Sequence, residues 1–259
     1  MKLISDAKHL PASGIKTGKS MRLDKYLSDM NVGTRTEIKK AVRQGQVSVN
    51  GVTVKNPGLS VNETSSVFYQ GKEIVYEIFS YYMLNKPAGV ITATEDRYQR
   101  TVLDLLPAER RKDLSPVGRL DKDTEGLLLI TNDGDLNHRL LSPKHHVDKR
   151  YYAEIEGNVN EGDVRAFADG IRLDDGLLCL PARLEILKSG DISEIEVVIQ
   201  EGKFHQIKRM FEAVGKQVLY LKRLSMGPLV LDPSLAPGEW RKLTPEEILS
   251  LQAELFISS

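Results

Sequence analysis

The feature that most constrains this chain is a change of hydrophobic period near residue 45. Between Arg22 and Arg43 the apolar residues recur at helical spacing, with Leu23, Tyr26, Leu27 and Met30 first and Ile38, Ala41 and Val42 second. Asn31-Val32-Gly33 separates the two helices, Thr34 or Thr36 can cap the second (37–43), and Gly45 ends it. Then Val47-Ser48-Val49-Asn50-Gly51-Val52-Thr53-Val54 alternates apolar and polar residues about an Asn-Gly pair. Both central residues of a type I′ turn need positive φ, which Asn and Gly tolerate, so this is a hairpin signal. Two short helices feeding a tight hairpin make a module of roughly sixty residues, too small for much catalytic architecture. The predicted organisation is an extension or expression remnant over 1–20, this module over 21–77 and a larger domain over 81–259. In the larger domain strands are expected at 81–84, 127–131, 151–155, 194–200 and 216–224. Helices are expected at 101–105, 136–141, 161–169, 205–214 and 245–251. Their irregular alternation points to an α+β class with a mixed sheet and helices packed against it.

Charge narrows the function classes. The chain of 259 residues carries 36 basic and 36 acidic side chains, so net attraction to a polyanion is not general. The basic residues are nevertheless clustered: six against three acids over 21–43, and six against two over 200–225. Two basic patches on a neutral chain suggest a local polyanion footprint, although such a face is also compatible with simple solvation. Apolar runs such as Leu127-Leu128-Leu129-Ile130 fall far short of the roughly 20 residues a membrane helix needs. The polar first twenty residues lack a secretory h-region, and the single cysteine, Cys179, permits no internal disulfide, so a cytoplasmic protein without membrane contact is expected. Residues 13–20 imitate a phosphate-binding loop, but Ser13 stands where that loop needs glycine and no apolar strand precedes it.

Three clusters could carry chemistry. The first, Gly118-Arg119-Leu120-Asp121-Lys122-Asp123-Thr124-Glu125-Gly126-Leu127, is not a calcium loop, because its twelfth position is Asn132 rather than a bidentate Glu. Acids two apart in one extended segment also cannot flank a scissile glycosidic bond from opposite sides. It reads either as a solvated acidic turn or as one functional Asp with an Arg two residues earlier, presented on a loop by a buried strand. In the second, Glu201-Gly202-Lys203-Phe204-His205-Gln206-Ile207-Lys208-Arg209-Met210-Phe211, an apolar helical face carries Lys208 and Arg209 on its shoulder. The third, 142–152, has adjacent His145 and His146 without a third metal ligand and two tyrosines, Tyr151 and Tyr152, that open a strand. Cys179 lacks a nucleophile motif and reads as a small buried hydrophobe.

Together with Leu84-Asn85-Lys86-Pro87-Ala88-Gly89, Gly126-Leu127-Leu128-Leu129 and Lys149-Arg150-Tyr151, these clusters occur in the order and spacing of the RsuA family of pseudouridine synthases, which 81–259 resembles throughout. Residues 22–75 resemble the S4-type α-L RNA-binding domain that precedes the catalytic domain in that family. The resemblance implies a mainly antiparallel mixed sheet and the isomerisation of a uridine: the N-glycosidic bond breaks, the base rotates and a C–C bond forms, with no cofactor or metal. It also implies that Asp121 is the catalytic aspartate, acting as nucleophile or as base, and that Arg119 helps hold the flipped-out nucleotide or the RNA helix it left. Tyr151 then stacks on the target base, Lys208 pairs with Asp121, and Arg209 joins the substrate contacts, while Asp123 and Glu125 are structural. Arg22, Arg35, Lys39, Lys40 and Arg43 form the RNA-binding face of the first module. The Ser142-Pro143-Lys144-His145-His146 stretch and the His205-Gln206-Ile207-Lys208-Arg209 form are most similar to members acting on small-subunit 16S rRNA. A monomer acting on ribosomal RNA or a small-subunit assembly particle is expected, with 23S rRNA, or RNA binding without catalysis, as alternatives.

Overall fold

A computed structural model of the chain describes residues 20–62, 64–107 and 113–257, and divides into two compact units between Glu77 and Ile78. The extension expected over 1–20 lies, apart from Ser20, outside the described residues.

The first unit contains β1 (Met21–Arg22), α1 (Leu23–Asp29), α2 (Arg35–Arg43), β2 (Val47–Val49), β3 (Val52–Val54), β4 (Ser60–Val61), β5 (Val67–Tyr69) and β6 (Lys72–Glu73). Strands β3-β2-β5-β6 form one antiparallel sheet, and β1 pairs with β4. The hairpin joins β2 to β3 with Val49 opposite Val52, and Asn50 and Gly51 both take positive φ, 51° and 80°, as a type I′ turn requires. Helix α2 starts two residues earlier than the apolar pattern indicates. Thr34 accepts the Glu37 backbone N–H while the Glu37 carboxylate receives the Thr34 N–H, a reciprocal cap that fixes the start. Leu23, Tyr26 and Leu27 of α1 pack with Ile38 and Val42 of α2 and with Val47, Val61 and Val67 in a core of the unit's own.

The second unit is built on β7 (Tyr81–Lys86), β8 (Ser115–Pro116), β9 (Glu125–Thr131), α3 (Gly134–Leu141), β10 (Lys149–Glu156), α4 (Glu161–Asp169), β11 (Arg183–Lys188), β12 (Ile192–Ile199), α5 (Gln206–Ala213), β13 (Gln217–Met226), β14 (Leu229–Val230), β15 (Trp240–Lys242) and α6 (Pro245–Ile257). The sheet runs β11-β12-β10-β13-β9-β7-β15, with β8 added to β9 and β14 to β13. It is mixed, as its class implies, and among its described ladders only β9–β13 is parallel. The segment expected to be helical at 101–105 forms a short 3-10 helix, Val102–Leu105. The edge strands β11 and β15 have no counterpart among the strands expected from sequence.

Strand β9 explains its own apolar run. Leu128 and Ile130 point into a core shared with Tyr151, Phe167 and Phe211, while Leu127 and Leu129 point into a second core with Met83, Leu136 and Leu140. Because helices cover both faces, consecutive positions of the central strand are all apolar. Where β9 meets β13 the chains approach closely. Gly126 pairs with Arg223 at φ +99°, and a β-carbon there would lie 2.3 Å from the Arg223 carbonyl oxygen and 2.7 Å from its nitrogen. Only glycine fits. Among the described residues no helix is long and apolar enough to cross a membrane.

Candidate active site

The loop between β8 and β9 carries Asp121, and buried groups pin it from behind. Lys86, at the end of β7, is wholly buried, and its ammonium donates to the carbonyls of Pro87 (3.0 Å), Lys122 (3.3 Å) and Thr124 (2.8 Å). Burial pushes its pKa down to about 8, against the pull of Asp123, Asp121 and Glu125 in the other direction. The Thr92 hydroxyl donates to the Leu120 carbonyl (2.7 Å), and the Gly89 N–H donates to the Lys122 carbonyl (2.8 Å). Thus the backbone on both sides of Asp121 is fixed by hydrogen bonds from the 86–92 segment.

Helix α5 and the residue before it bring a lysine and a histidine. His205 precedes it in the left-handed region, φ 49°, with its ring stacked on Phe204 at 3.8 Å, and Lys208 follows one turn later. The buried Gln206 amide braces this turn, donating to Glu201 (2.7 Å) and accepting from the Lys203 N–H (2.9 Å). The result is a carboxylate between two basic groups: Asp121 Oδ1 lies 3.6 Å from His205 Nε2, and Oδ2 lies 3.7 Å from Lys208 Nζ. The shortest contact of Lys208 is with Asp123, at 2.6 Å, and it holds that carboxyl below the ordinary carboxylate range. Asp123, expected to be structural, therefore competes with Asp121 for the same ammonium.

Of the residues singled out from sequence, Arg119, Asp121, Tyr151 and Lys208 line one cleft, together with Thr124 and His205. Tyr151 is buried in β10, whereas Tyr152 is half-buried with its hydroxyl on Glu194 (3.1 Å). Arg119 is exposed at the cleft edge. Arg209 does not join them. Its guanidinium pairs with Asp174 and with Asp175 (2.7 Å), because consecutive helical residues project about 100° apart. In place of a cleft position, Arg209 makes an ion pair that ties α5 to the 174–175 turn. His205 was present in the sequence cluster yet not singled out; its position one turn before Lys208 is the available signal. Lys86 was equally hidden, since a lysine in a motif reads as a surface charge. Cys179 is buried, and among the described residues no group of three His, Cys, Asp or Glu could hold a metal ion.

In the first unit, Arg35, Lys39 and Arg43 follow each other at four-residue spacing on α2, and Lys40 lies beside them. Arg35, Lys40 and Arg43 are exposed and Lys39 is half-buried, while Ile38, Ala41 and Val42 face the core. Arg22 stands apart: its guanidinium forms a two-pronged pair with the buried Asp24 (3.0 and 2.8 Å) and is already neutralised.

Comparison with known proteins is consistent across sequence and structure. Residues 80–213 match the family model described as RNA pseudouridylate synthase, and residues 21–67 match the S4 domain. An uncharacterized RNA pseudouridine synthase of Bacillus subtilis, YtzG, is 48% identical over 88% of this chain and 97% of its own length. Ribosomal small subunit pseudouridine synthase A of Vibrio cholerae is 42% identical over 89% of this chain and 99% of its own. A crystal structure of a pseudouridylate synthase superposes with a TM-score of 0.64 at 38% identity, covering 90% of this chain and all of that one.

Proposed function

The chain belongs to the RNA pseudouridylate synthase family and carries an S4 domain ahead of the synthase domain, and from that premise we propose that it isomerises a uridine of ribosomal RNA, in the small subunit, using Asp121. The observation that carries the reading is the Asp121 carboxylate held between His205 and Lys208 in a cleft lined by Tyr151. The small-subunit target rests on the named relative from Vibrio cholerae.

The chemistry asks for three things. The N1–C1′ bond of the uridine breaks with its electron pair passing to the base. The base turns, C5 bonds to C1′, the C5 proton leaves and N1 takes one up. Asp121 is the one carboxylate among the described residues lining the cleft, so it meets C1′ or takes a sugar proton, as nucleophile or as base. Lys208 and His205 on either side orient it, and the Lys208 ammonium offsets its charge. The target must also leave its stack, at a cost of a few kcal/mol. The Tyr151 ring against the base and Arg119 at the rim offset that cost.

Tritium release from 5-tritiated uridine in 16S and 23S transcripts tests the assignment. Wild type is expected to release tritium from 16S, and Asp121→Asn is expected to bind RNA with wild-type affinity and release none. Release from 23S alone moves the substrate and leaves the site intact. Turnover by Asp121→Asn removes Asp121 from its role.

A further inference from the structure

Among the described residues lining the cleft, one buried side-chain polar atom has no hydrogen-bond partner. Thr124 lines the same cleft as Asp121 and Tyr151, is 2% exposed, and its hydroxyl makes no hydrogen bond within the protein. Its backbone is fully committed: the N–H donates to the Asp121 carbonyl (3.1 Å), and its carbonyl accepts from Lys86 (2.8 Å). A β-branched side chain on a backbone held at both ends has few rotamers to choose from. Here the hydroxyl costs stability, because a buried hydroxyl without a partner forfeits its hydration, and valine would fill the same shape without that cost.

We propose that the Thr124 hydroxyl is the donor that holds the exocyclic carbonyl of the target uracil while the ring turns over in the cleft, a role that rests on the site reading above. The argument comes from the symmetry of the ring. Converting an N1-linked base to a C5-linked one is a half-turn about the axis through N3 and C6. That turn exchanges N1 with C5 and the 2-carbonyl with the 4-carbonyl. A single donor on the cleft wall, three residues from Asp121, therefore meets a carbonyl oxygen before the turn and another after it. A hydroxyl rotates freely about its C–O bond, so it follows either carbonyl without moving its own carbon frame. An unfilled hydrogen-bonding group in a binding cleft is filled by the ligand, and a site built to hydrogen-bond discriminates strongly when that bond is removed.

The test is steady-state tritium release from mixed 16S and 23S transcripts by wild type, Thr124→Val, Thr124→Ser and Thr124→Ala, with Asp121→Asn in parallel and thermal melting of each variant. Thr124→Val is expected to melt no lower than wild type and to lose about tenfold in kcat/KM, the loss matching one hydrogen bond. Thr124→Ser keeps the hydroxyl and is expected to retain wild-type kcat/KM. If Thr124→Val does not fold, the comparison of Thr124→Ser with Thr124→Ala carries the same contrast. Wild-type kcat/KM in Thr124→Val, or equal losses in the serine and alanine variants, overturns the proposal while an inactive Asp121→Asn leaves the site reading standing. An active Asp121→Asn overturns the site reading itself.

Discussion

Two buried lysines of the second unit show how residue type and position can pull apart. Lys86 and Lys149 are both buried, and burial pushes each down to about 8 from an ordinary 10.5. In both cases the folded protein releases the proton near pH 8 while the unfolded chain keeps it to 10.5. The cost of burying the charge is therefore borne in full below pH 8 and is relieved as pH rises toward 10.5, so each lysine makes stability rise across that window. For Lys149 this cost is at most about 3 kcal/mol. Among the described hydrogen bonds Lys149 donates to the Val147 carbonyl alone (3.0 Å) and feels the nearby Arg223, whereas Lys86 serves three carbonyls, two of them in the Asp121 loop. The same substitution should thus act in opposite ways. Lys149→Met is expected to melt higher than wild type at pH 7 and to flatten the rise of melting temperature between pH 8 and 10. Lys86→Met should lose about 1–3 kcal/mol through its orphaned carbonyls and turnover with it. Thermal melting across pH, with a tritium-release assay at each point, reads both. Asp121, Arg119, Tyr151 and Lys208 were legible because their motifs survive as contiguous words. Lys86, His205 and Thr124 stood within those words, but their burial and partners come from tertiary packing.

At the scale of elements, local periodicity worked where the determinants were local. The β2–β3 hairpin is dictated by Asn50-Gly51, and α2 by its apolar stripe and the Thr34–Glu37 cap. Strand β15 has only Trp240, Arg241 and Lys242, and β11 alternates just Leu184 and Ile186 into the sheet, so each owes its conformation to a neighbouring strand. Helix α2 also bears the clearest charge of the first unit. Lys39 and Lys40 lie on the outer side of α2 with no carboxylate paired to them among the described ion pairs. Lys39→Glu with Lys40→Glu is expected to leave the melting temperature within about 1 °C, as befits a surface change. It should weaken RNA binding and shallow the log-affinity against log-salt slope by about 1 per lost phosphate contact. An unchanged slope in filter binding would exclude this face as the contact.

For the whole molecule, a neutral chain keeps its cations where two separate cores present them. Each unit has its own apolar cluster, and the division falls between Glu77 and Ile78. The change of period near residue 45 lies inside the first unit and marks that module rather than the division, and strand order leaves no such mark, since pairing between distant segments has no local period. A chain of residues 78–259 is expected to fold, because it retains both cores of the synthase unit. It should keep the kcat of the full protein and bind RNA about a hundredfold more weakly, as when one of two tethered contacts is removed. Equal KM for the two forms, measured by tritium release, would mean that the first unit adds nothing to substrate capture.

The close approach of Gly126 to Arg223 has a temporal consequence. That parallel seam joins segments close to a hundred residues apart, and the cleft beside it takes Asp121 from one side and Lys208 from the other. Contacts between such distant segments close loops slowly and late, whereas the first unit is made of neighbours in the chain. During synthesis the amino-terminal unit is complete and able to grip RNA while the half of the sheet that carries α5 and β13 has yet to emerge. On that order the chain is expected to acquire its hold on RNA before its chemistry, so that an unfinished copy would occupy a transcript without altering it.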